Sequence, residues 1–316
     1  MPTARHRQAL PQLAGRLLVT DGGLETTLIF HDGLDLPHFA AFPLLDRPDG
    51  RASLRRYYDA YGAAARRSGA GCLLDTPTFR ASPEWAAKVG YGADQLPHVI
   101  GAAVGLLREV RDAWETPDLP VVINGAIGPR GDGYSAAETM DGTTAEAFHA
   151  PQVRSYAEAG ADVVMAQTMT HAGEAIGIAR AAAQAGIPAI VSFTVETDGR
   201  LPDGTTLADA IQAVDAATRA SPVHYMVNCA HPTHVAPALA THGSWLSRLR
   251  GIRANPSPKS HAELNESVTL EDGDPAELAR LLGAMSAQHR HFTVMGGCCG
   301  SDARHAQHIG LACRPA

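Results

Sequence analysis

The sequence predicts a single (β/α)8 barrel, and two observations support this fold class. Eight short apolar runs rich in β-forming residues alternate with eight longer segments of helical periodicity. The chain has 316 residues, enough for a barrel of this type, and contains no long polar linker that would divide it. We therefore expect one domain over residues 1–316. The alternation alone leaves open a doubly wound open sheet as the rival architecture.

The strands and helices follow from the apolar pattern and from capping residues. The predicted strands are Arg16 to Thr20, Cys72 to Asp75, Pro120 to Asn124, Asp162 to Ala166, Pro188 to Thr194, Tyr225 to Asn228, Gly251 to Ala254 and Phe292 to Met295. The predicted helices are Leu54 to Arg67, Asp94 to Trp114, Thr144 to Ala159, Ala172 to Ala185, Leu207 to Arg219, Val235 to Arg248, Pro275 to Gln288 and Ala303 to Ala312. Asp274 is an expected N-cap, and Gly160 and Gly186 are expected helix ends.

Composition and charge exclude several classes of protein. The residues are 45% hydrophobic and 19% charged, which is typical of a globular chain. A net charge of −7 argues against nucleic acid as a partner, because phosphate binding needs a basic surface. No apolar run reaches the roughly 20 residues of a membrane span. The polar start MPTARHRQALPQLAG lacks the apolar core of a signal peptide, so we expect a cytoplasmic protein with reduced cysteines.

Unusual residues cluster directly after the predicted strands. These motifs are DGG at 21–23, DTPTF at 75–79, GAIGP at 125–129, QT at 167–168, NCAH at 228–231 and GGCCG at 296–300. In a barrel the carboxyl ends of all strands share one rim, where the active sites of this fold lie. The pattern therefore predicts that these segments converge in one site.

The cysteines provide the most specific chemical signal. Cys298 and Cys299 are adjacent within VMGGCCGSD, and side chains of adjacent strand residues point to opposite faces. The flanking glycines permit backbone angles that would let both thiols converge, and Cys229 after the sixth strand offers a third. Three thiolates with an open fourth position are typical of a catalytic zinc site.

Other interpretations of these residues remain open on the sequence. The cysteines could be buried structural residues, which is how we interpret Cys72 and Cys313, or a vicinal disulfide. His231 and His234 are candidate substitute ligands.

Several motifs together resemble the zinc-dependent homocysteine S-methyltransferases. They are DGGLETTL, DTPTFRAS, GAIGPRGDGY, SFTVETDGRLPDGTTLADAI, NCAHPTHVAPAL and GGCCGSDARHAQHI, and they extend from about Leu18 to Ile309. The family includes members that use S-methylmethionine or betaine as the methyl donor. The resemblance implies a barrel in which Cys229, Cys298 and Cys299 hold zinc and the acceptor thiol takes the open position.

The resemblance also implies roles in acceptor binding. Asp21 matches an aspartate near the amino group of the acceptor, and Gly22 and Gly23 match the place where backbone amides approach its carboxylate. Thr76 matches a threonine that contacts the acceptor, and Asn228 is expected to shape the loop before the zinc cysteine.

The sequence departs from the family pattern at two places. Gln167 occupies the position of a glutamate that binds the acceptor's ammonium group, so a neutral hydrogen bond would replace a charged one. Arg80 and Thr168 stand where betaine-using members have tyrosines. Arg80 would repel a cationic donor unless it pairs with a carboxylate of that donor.

The resulting expectation is a cytoplasmic zinc-dependent methyltransferase that acts on two small molecules. It would move a methyl group from a sulfonium, S-methylmethionine or an S-adenosylmethionine-like compound, to homocysteine, giving methionine. The alternatives are a methyltransferase for a thiol without a free amino group and a non-catalytic zinc-thiol binding or sensor barrel. A zinc-assisted hydrolase or lyase with Glu25 or Glu196 as the base ranks last.

Overall fold

The predicted strands form a closed parallel barrel in a computed structural model, which describes residues 4–314. The strands are β1 Leu18–Thr20, β2 Gly71–Asp75, β3 Val121–Ile127, β4 Val163–Met169, β5 Ala189–Phe193, β6 His224–Ala230, β7 Leu249–Ala254 and β8 Val294–Gly297. Strand β1 pairs with both β2 and β8, which closes the barrel and excludes the open sheet. The predicted (β/α)8 fold is confirmed.

Helices connect the strands and cover the barrel. They are α1 Leu24–Phe30, α2 Pro48–Ser68, α3 Pro83–Lys88, α4 Leu96–Trp114, α5 Gly142–Ala159, α6 Ala172–Ala185, α7 Leu207–Thr218, α8 Pro232–Leu239, α9 His261–Asn265, α10 Pro275–Gln288 and α11 Ala303–Ala312. The predicted caps are confirmed: Asp274 accepts the Ala276 amide, and Gly160 and Gly186 end their helices at positive φ.

Two predicted helices were wrong in extent, and three short helices were not predicted. Helix α2 begins at Pro48 instead of Leu54. Helix α8 ends at Leu239 instead of continuing to Arg248, and a separate 3-10 turn spans Ser244–Arg248. The intervening THGS is rich in turn-forming residues, which outweigh the apolar pattern on either side. The short helices α1, α3 and α9 lie in the loops after strands, where few residues carry a periodic signal.

The barrel interior has an apolar layer below a polar layer, one pleat apart. The apolar layer consists of Leu18, Leu73, Val122, Met165, Ile190, Met226 and Val294, against which Leu10 and Val163 also pack. Two residues further along each of these seven strands, and at the matching position of β7, lies a second set, here called the polar layer: Thr20, Asp75, Asn124, Gln167, Ser192, Asn228, Arg253 and Gly296. Because side chains alternate along a strand, both sets face inward. The polar layer therefore forms the floor beneath the carboxyl ends of the strands.

A buried ion pair joins the outer helices to the barrel. Arg111 in α4 donates to Asp162 at 2.9 Å, and both side chains are almost completely buried. Asp162 also accepts the amides of Ile123 at 2.9 Å and of His6 at 2.8 Å. One carboxylate thus holds α4, β3 and the N-terminal segment together. No helix among residues 4–314 is long and apolar enough to cross a bilayer.

Replacing Arg111 by methionine should leave the Asp162 charge buried without its cation. We expect a loss of about 3–5 kcal/mol in the free energy of unfolding, measured by urea denaturation. Arg108→Met is the matched control, because Arg108 is half-buried and donates only to the Ala159 carbonyl. Equal losses in the two variants would contradict the role assigned to this pair.

Candidate active site

A cavity of about 440 Å³ opens at the carboxyl ends of the strands. Residues of the motifs after β1, β2, β3, β4, β6 and β8 line it: Asp21, Gly22, Gly23, Asp75, Thr76, Phe79, Ala126, Gln167, Thr168, Cys229, Cys298, Cys299 and Gly300. The predicted convergence of these segments on one rim is therefore observed. The volume suits small-molecule ligands.

Three thiols meet in this cavity. The sulfur atoms of Cys229, Cys298 and Cys299 all lie within 4.8 Å of one another, and those of Cys229 and Cys299 are 3.9 Å apart. Four ligands around zinc at a Zn–S distance of about 2.3 Å would place sulfurs about 3.8 Å apart. The donor set and its spacing therefore fit a zinc ion with three protein ligands. Cys72 and Cys313 are buried elsewhere, as the sequence predicted.

Cys229 reaches the cavity because the backbone of β6 is irregular there. The register between β6 and β7 shifts between Asn228 and Ala230, and Cys229 has a φ of 56°. A positive φ is costly for a residue with a side chain, so surrounding contacts must maintain it. The Cys229 carbonyl accepts from His261 Nε2 at 2.7 Å and from Asn255 Nδ2 at 3.1 Å.

Of the three glycines around Cys298 and Cys299, one has the backbone role that the sequence suggested and two do not. Only Gly300 has a positive φ, of 84°, whereas Gly296 and Gly297 belong to β8. A Cβ on Gly296 would lie 2.0 Å from Thr20 Oγ1, and one on Gly297 would lie 2.0 Å from Ser301 Oγ. These two residues are glycines because neighbouring side chains fill the space. The thiols converge because β8 ends at Gly297 and the chain turns immediately after it.

Hydrogen bonds between the three thiols shift the pKa of each of them. Those from Cys298 and Cys299 lower the pKa of Cys229 well below its usual value. The hydrogen bond with Cys229 raises the pKa of Cys298 to about 12, and those with Cys229 and Cys298 raise that of Cys299 well above its usual value. Three thiolates at this spacing repel one another, so full ionisation of the cluster needs a nearby cation. Tyr134 donates its hydroxyl to Cys299 Sγ at 3.7 Å and stacks on the His261 ring.

The two histidines considered as substitute ligands lie outside the thiol cluster. His231 caps α8, where its Nδ1 accepts the Thr233 amide at 3.3 Å. His234 Nε2 bonds to the Pro258 carbonyl at 3.0 Å. Neither joins the group that could hold a metal, so these alternatives are not supported.

Asp21 lies in the floor of the cavity and is almost completely buried. Its carboxylate accepts from Arg253 Nη2 and from the Asp75 amide, each at 3.3 Å. Burial, followed by the charge of Asp75, raises the pKa of Asp21 well above its usual value.

The Gly23 amide donates to the Ser301 carbonyl at 3.0 Å, so it is not free for the carboxylate of an acceptor. A Cβ on Gly22 would meet the Tyr61 hydroxyl at 2.4 Å, so close packing requires this glycine.

Thr76 and Asn228 organise the backbone around the site. Thr76 Oγ1 accepts the Ala126 amide at 3.0 Å and shares a hydrogen bond with Thr78 Oγ1 at 2.6 Å. Asn228 Oδ1 accepts the Thr168 amide at 2.9 Å, and its Nδ2 donates to Thr168 Oγ1 at 2.7 Å. Thr168, near the end of β4, has a strained φ of 60°. Asn228, the residue directly before Cys229, therefore stabilises this strained part of β4 through its two hydrogen bonds to Thr168.

Gln167 lines the cavity and donates from Nε2 to Asp75 Oδ2 at 3.0 Å. Arg253 Nη1 donates to the same carboxylate, and Asn124 Nδ2 donates to Asp75 Oδ1 at 2.7 Å.

Arg253 and Tyr134 were not predicted from the sequence as site residues, and Asp75 was noted only within its motif. The signal for Arg253 was a charged residue inside an otherwise apolar strand, GIRA.

Four further charged side chains line the same cavity, namely Glu25, Arg80, Asp132 and Glu271. Glu25 lies in the first turn of α1, and burial raises its pKa to about 7. The Arg80 guanidinium lies over the Trp85 ring, 3.9 Å from its centroid, and donates to the Gly131 carbonyl at 3.2 Å. Within residues 4–314 no carboxylate lies within salt-bridge distance of Arg80, and its buried Nε has no partner. Glu196, the other candidate base, pairs with His261 Nδ1 at 3.1 Å outside the cavity lining.

A closed barrel whose rim cavity holds three convergent cysteine thiols beside charged side chains has the features of an enzyme site that can bind a metal ion and a small molecule. Residues 18–313 match the family model described as Homocysteine S-methyltransferase, and the chain belongs to this family. It is a methyltransferase of that family, as the resemblance predicted.

Individual relatives agree with this assignment. The chain is 28% identical to Homocysteine S-methyltransferase of Escherichia coli over 254 residues, covering 74% of this chain and 76% of the relative. It is 24% identical to Homocysteine S-methyltransferase YbgG of Bacillus subtilis, covering 94% and 95%. The fold is also that of the homocysteine methyltransferase MmuM from Escherichia coli. Its oxidised form has a TM-score of 0.74 at 22% identity over 96% of this chain and 98% of that one. Its metallated form has a TM-score of 0.71 at 21% identity, covering 95% and 98%.

Cys298→Ser should reduce the metal content of the protein without unfolding it. A neutral serine is a much poorer zinc ligand than a thiolate, so we expect the zinc-to-protein ratio to fall from about one to less than about 0.2 after dialysis. The measurement is elemental analysis, with circular dichroism to verify the fold. Cys313→Ser is the control, because Cys313 lies outside the cluster. A Cys298→Ser protein that keeps its zinc would contradict the ligand role.

Proposed function

We propose that this protein moves a methyl group from a sulfonium donor to homocysteine and so forms methionine. Family membership supports the reaction class, and one observation carries the proposal: three convergent thiols lie in the wall of a cavity that also holds recognition groups for two charged ligands. We propose Cys229, Cys298 and Cys299 as the ligands of a resident Zn²⁺. The barrel is proposed to act as one unit over residues 1–316.

Bound by these thiolates, zinc would stabilise the ionised form of an acceptor thiol, which is otherwise mostly protonated near neutral pH. The protein then has to orient two substrates. The acceptor loses its thiol proton to solvent, and its sulfur forms a bond to the methyl carbon. The bond between that carbon and the donor sulfur breaks, and its electron pair leaves with the donor as a neutral thioether.

The inner end of the cavity supports binding of the acceptor's amino group. Asp21 provides a carboxylate there, and Gln167 provides an amide. Both residues lie in the same cavity as the thiols, so an amino acid bound by its nitrogen can present its sulfur to the cluster. Thr76 stabilises the backbone at this end of the cavity, because its hydroxyl already accepts a hydrogen bond from the Ala126 amide.

Arg80 and Glu25 support a donor with an amino-acid headgroup. Arg80 offers a guanidinium that lies over Trp85 and has no carboxylate within salt-bridge distance among the described residues. Asp132 and, to a smaller extent, Glu25 offer the opposite charge in the same cavity and favour the charged form of Arg80 against the cost of its burial. A carboxylate on the donor can pair with Arg80, which stands, like Thr168, where betaine-using members have tyrosines. S-methylmethionine and S-adenosylmethionine-like sulfoniums both carry such a headgroup.

Zinc X-ray absorption on reduced protein tests the acceptor and the metal together. We expect one zinc per chain with three sulfur neighbours, rising to four when homocysteine is added. If the number of sulfur neighbours stays at three after homocysteine is added, the metal site would still be supported. The acceptor would then be another thiol, in particular one without a free amino group. No zinc in folded, reduced protein would overturn the metal assignment. Absence of turnover with a panel of thiols and sulfoniums would favour the sensor alternative.

Arg80→Met should weaken the binding of donors that carry a carboxylate. Methionine keeps apolar contact with Trp85 but removes the charge, so the KM for S-methylmethionine should rise about 10- to 100-fold. The KM for trimethylsulfonium, which has no carboxylate, should stay within about 2-fold. Lys88→Met is the matched control, because Lys88 also lies over Trp85, 3.6 Å from the ring centroid, but is outside the cavity lining. Parallel losses for both donors would argue against a carboxylate-binding role.

A further inference from the structure

Asp75 is the centre of the hydrogen bonds in the polar layer. It lies at the end of β2 and accepts from three side chains of three other strands, namely Asn124, Gln167 and Arg253. Arg253 also donates to Asp21, so its guanidinium bridges the two carboxylates. All three side chains are buried, and with both carboxylates ionised they carry a net charge of −1. Burial and the charge of Asp75 raise the pKa of Asp21, so a cation at the inner end of the cavity favours the ionised form of both carboxylates.

The contact with Asp75 fixes the orientation of the Gln167 amide. An ionised carboxylate can only accept hydrogen bonds, so the nitrogen of Gln167 must face Asp75 and the amide cannot be flipped. Nε2 donates to Asp75 Oδ2 at 3.0 Å, and Oε1 makes no hydrogen bond to any residue in the described range. Because Gln167 lines the cavity, this oxygen remains available to accept from a ligand.

The same geometry is incompatible with an acid at position 167. A glutamate there would place a second carboxylate about 3 Å from Asp75 in a buried site, where two like charges cannot both remain ionised. The pair would have to share a proton or separate, and either response would disturb the contacts of Asp75 with Arg253. The presence of Asp75 therefore accounts for glutamine at this position.

Asp21 completes the set of acceptors that a ligand would meet. Its Oδ1 is occupied by Arg253 and by the Asp75 amide, whereas Oδ2 has only a long contact of 3.4 Å from the Tyr57 hydroxyl. Asp21 Oδ2 and Gln167 Oε1 are thus two acceptors with free capacity beside one net negative charge. This combination suits an amino group that carries one positive charge.

We propose that Asp75 and Arg253 are specificity-determining residues, which set the charge of the amino-group subsite and hold Gln167 with its oxygen toward the acceptor. The negative charge lies on the Asp75 carboxylate. Because the Gln167 amide nitrogen donates to this carboxylate, its dipole is oriented with the oxygen toward the acceptor. This inference rests on the proposed function for the identity of the acceptor. The interaction between positions 75 and 167 can be measured without any substrate.

The test is a set of three variants of the full-length, zinc-loaded protein. Gln167→Glu introduces the second carboxylate, and Asp75→Asn combined with Gln167→Glu moves the charge from position 75 to position 167. In the double variant an asparagine amide can donate to the new carboxylate, so the polarity of the hydrogen bond is reversed and the net charge is kept. Gln184→Glu is the matched control, because Gln184 also donates to a carboxylate, Glu146, but is exposed to water.

The first readout is the midpoint of thermal unfolding at pH 8. Gln167→Glu should lower it by about 5 °C, the double variant should recover to within about 2 °C of the unmodified protein, and Gln184→Glu should change it by less than about 1 °C. A Gln167→Glu protein as stable as the unmodified one, or a double variant no better than the single, would overturn the proposal.

The second readout is the KM for homocysteine with a fixed sulfonium donor. We expect Gln167→Glu to raise it about 10-fold and the double variant to return it to within about 2-fold. A lower KM for Gln167→Glu would overturn the proposal, because it would show that an added acid improves the subsite. If the unmodified protein does not use homocysteine, the proposed function fails, while the unfolding midpoints still decide whether Asp75 and Gln167 are coupled.

Discussion

The arrangement of the site depends on a buried cation that crosses the barrel. Arg253 projects from β7 and is paired with Asp75 at the end of β2 and with Asp21 after β1. Buried charges are costly unless they are paired and hydrogen-bonded, so these three residues have to be satisfied together. Gln167 and Asn124 take up the remaining capacity of Asp75. The floor of the cavity is consequently one connected unit.

The sequence was sufficient for the fold class because the fold depends on local patterns. Strands and helices alternate with periods that can be counted, and residues such as Asp274 and Gly160 mark helix ends by their own chemistry. Prediction failed where a feature depends on a very short segment or on residues that are far apart in the sequence. Helix α8 ends at Leu239 because of a few turn-forming residues, which a periodic window averages away.

The site was predictable only in part, for a related reason. The three cysteines were recognisable because residue type and motif carry the chemistry. The partners of Arg253 lie 178 and 232 residues away along the chain, so no local pattern could reveal its pairing with Asp75 or Asp21. The glycines before the cysteines were assigned a conformational role, whereas Gly296 is required by the position of Thr20 on the neighbouring strand. Steric requirements between strands become visible only when the barrel is assembled.

The closeness of the thiols also has a redox consequence. The sulfurs of Cys229 and Cys299 are 3.9 Å apart, and a disulfide would require them to approach to about 2.05 Å. An oxidant that achieves this removes two of the three candidate ligands in one step. Metal binding by these thiols and formation of this disulfide would therefore compete for the same side chains and exclude each other. A cation bound by all three sulfurs would also hinder their attack by an oxidant.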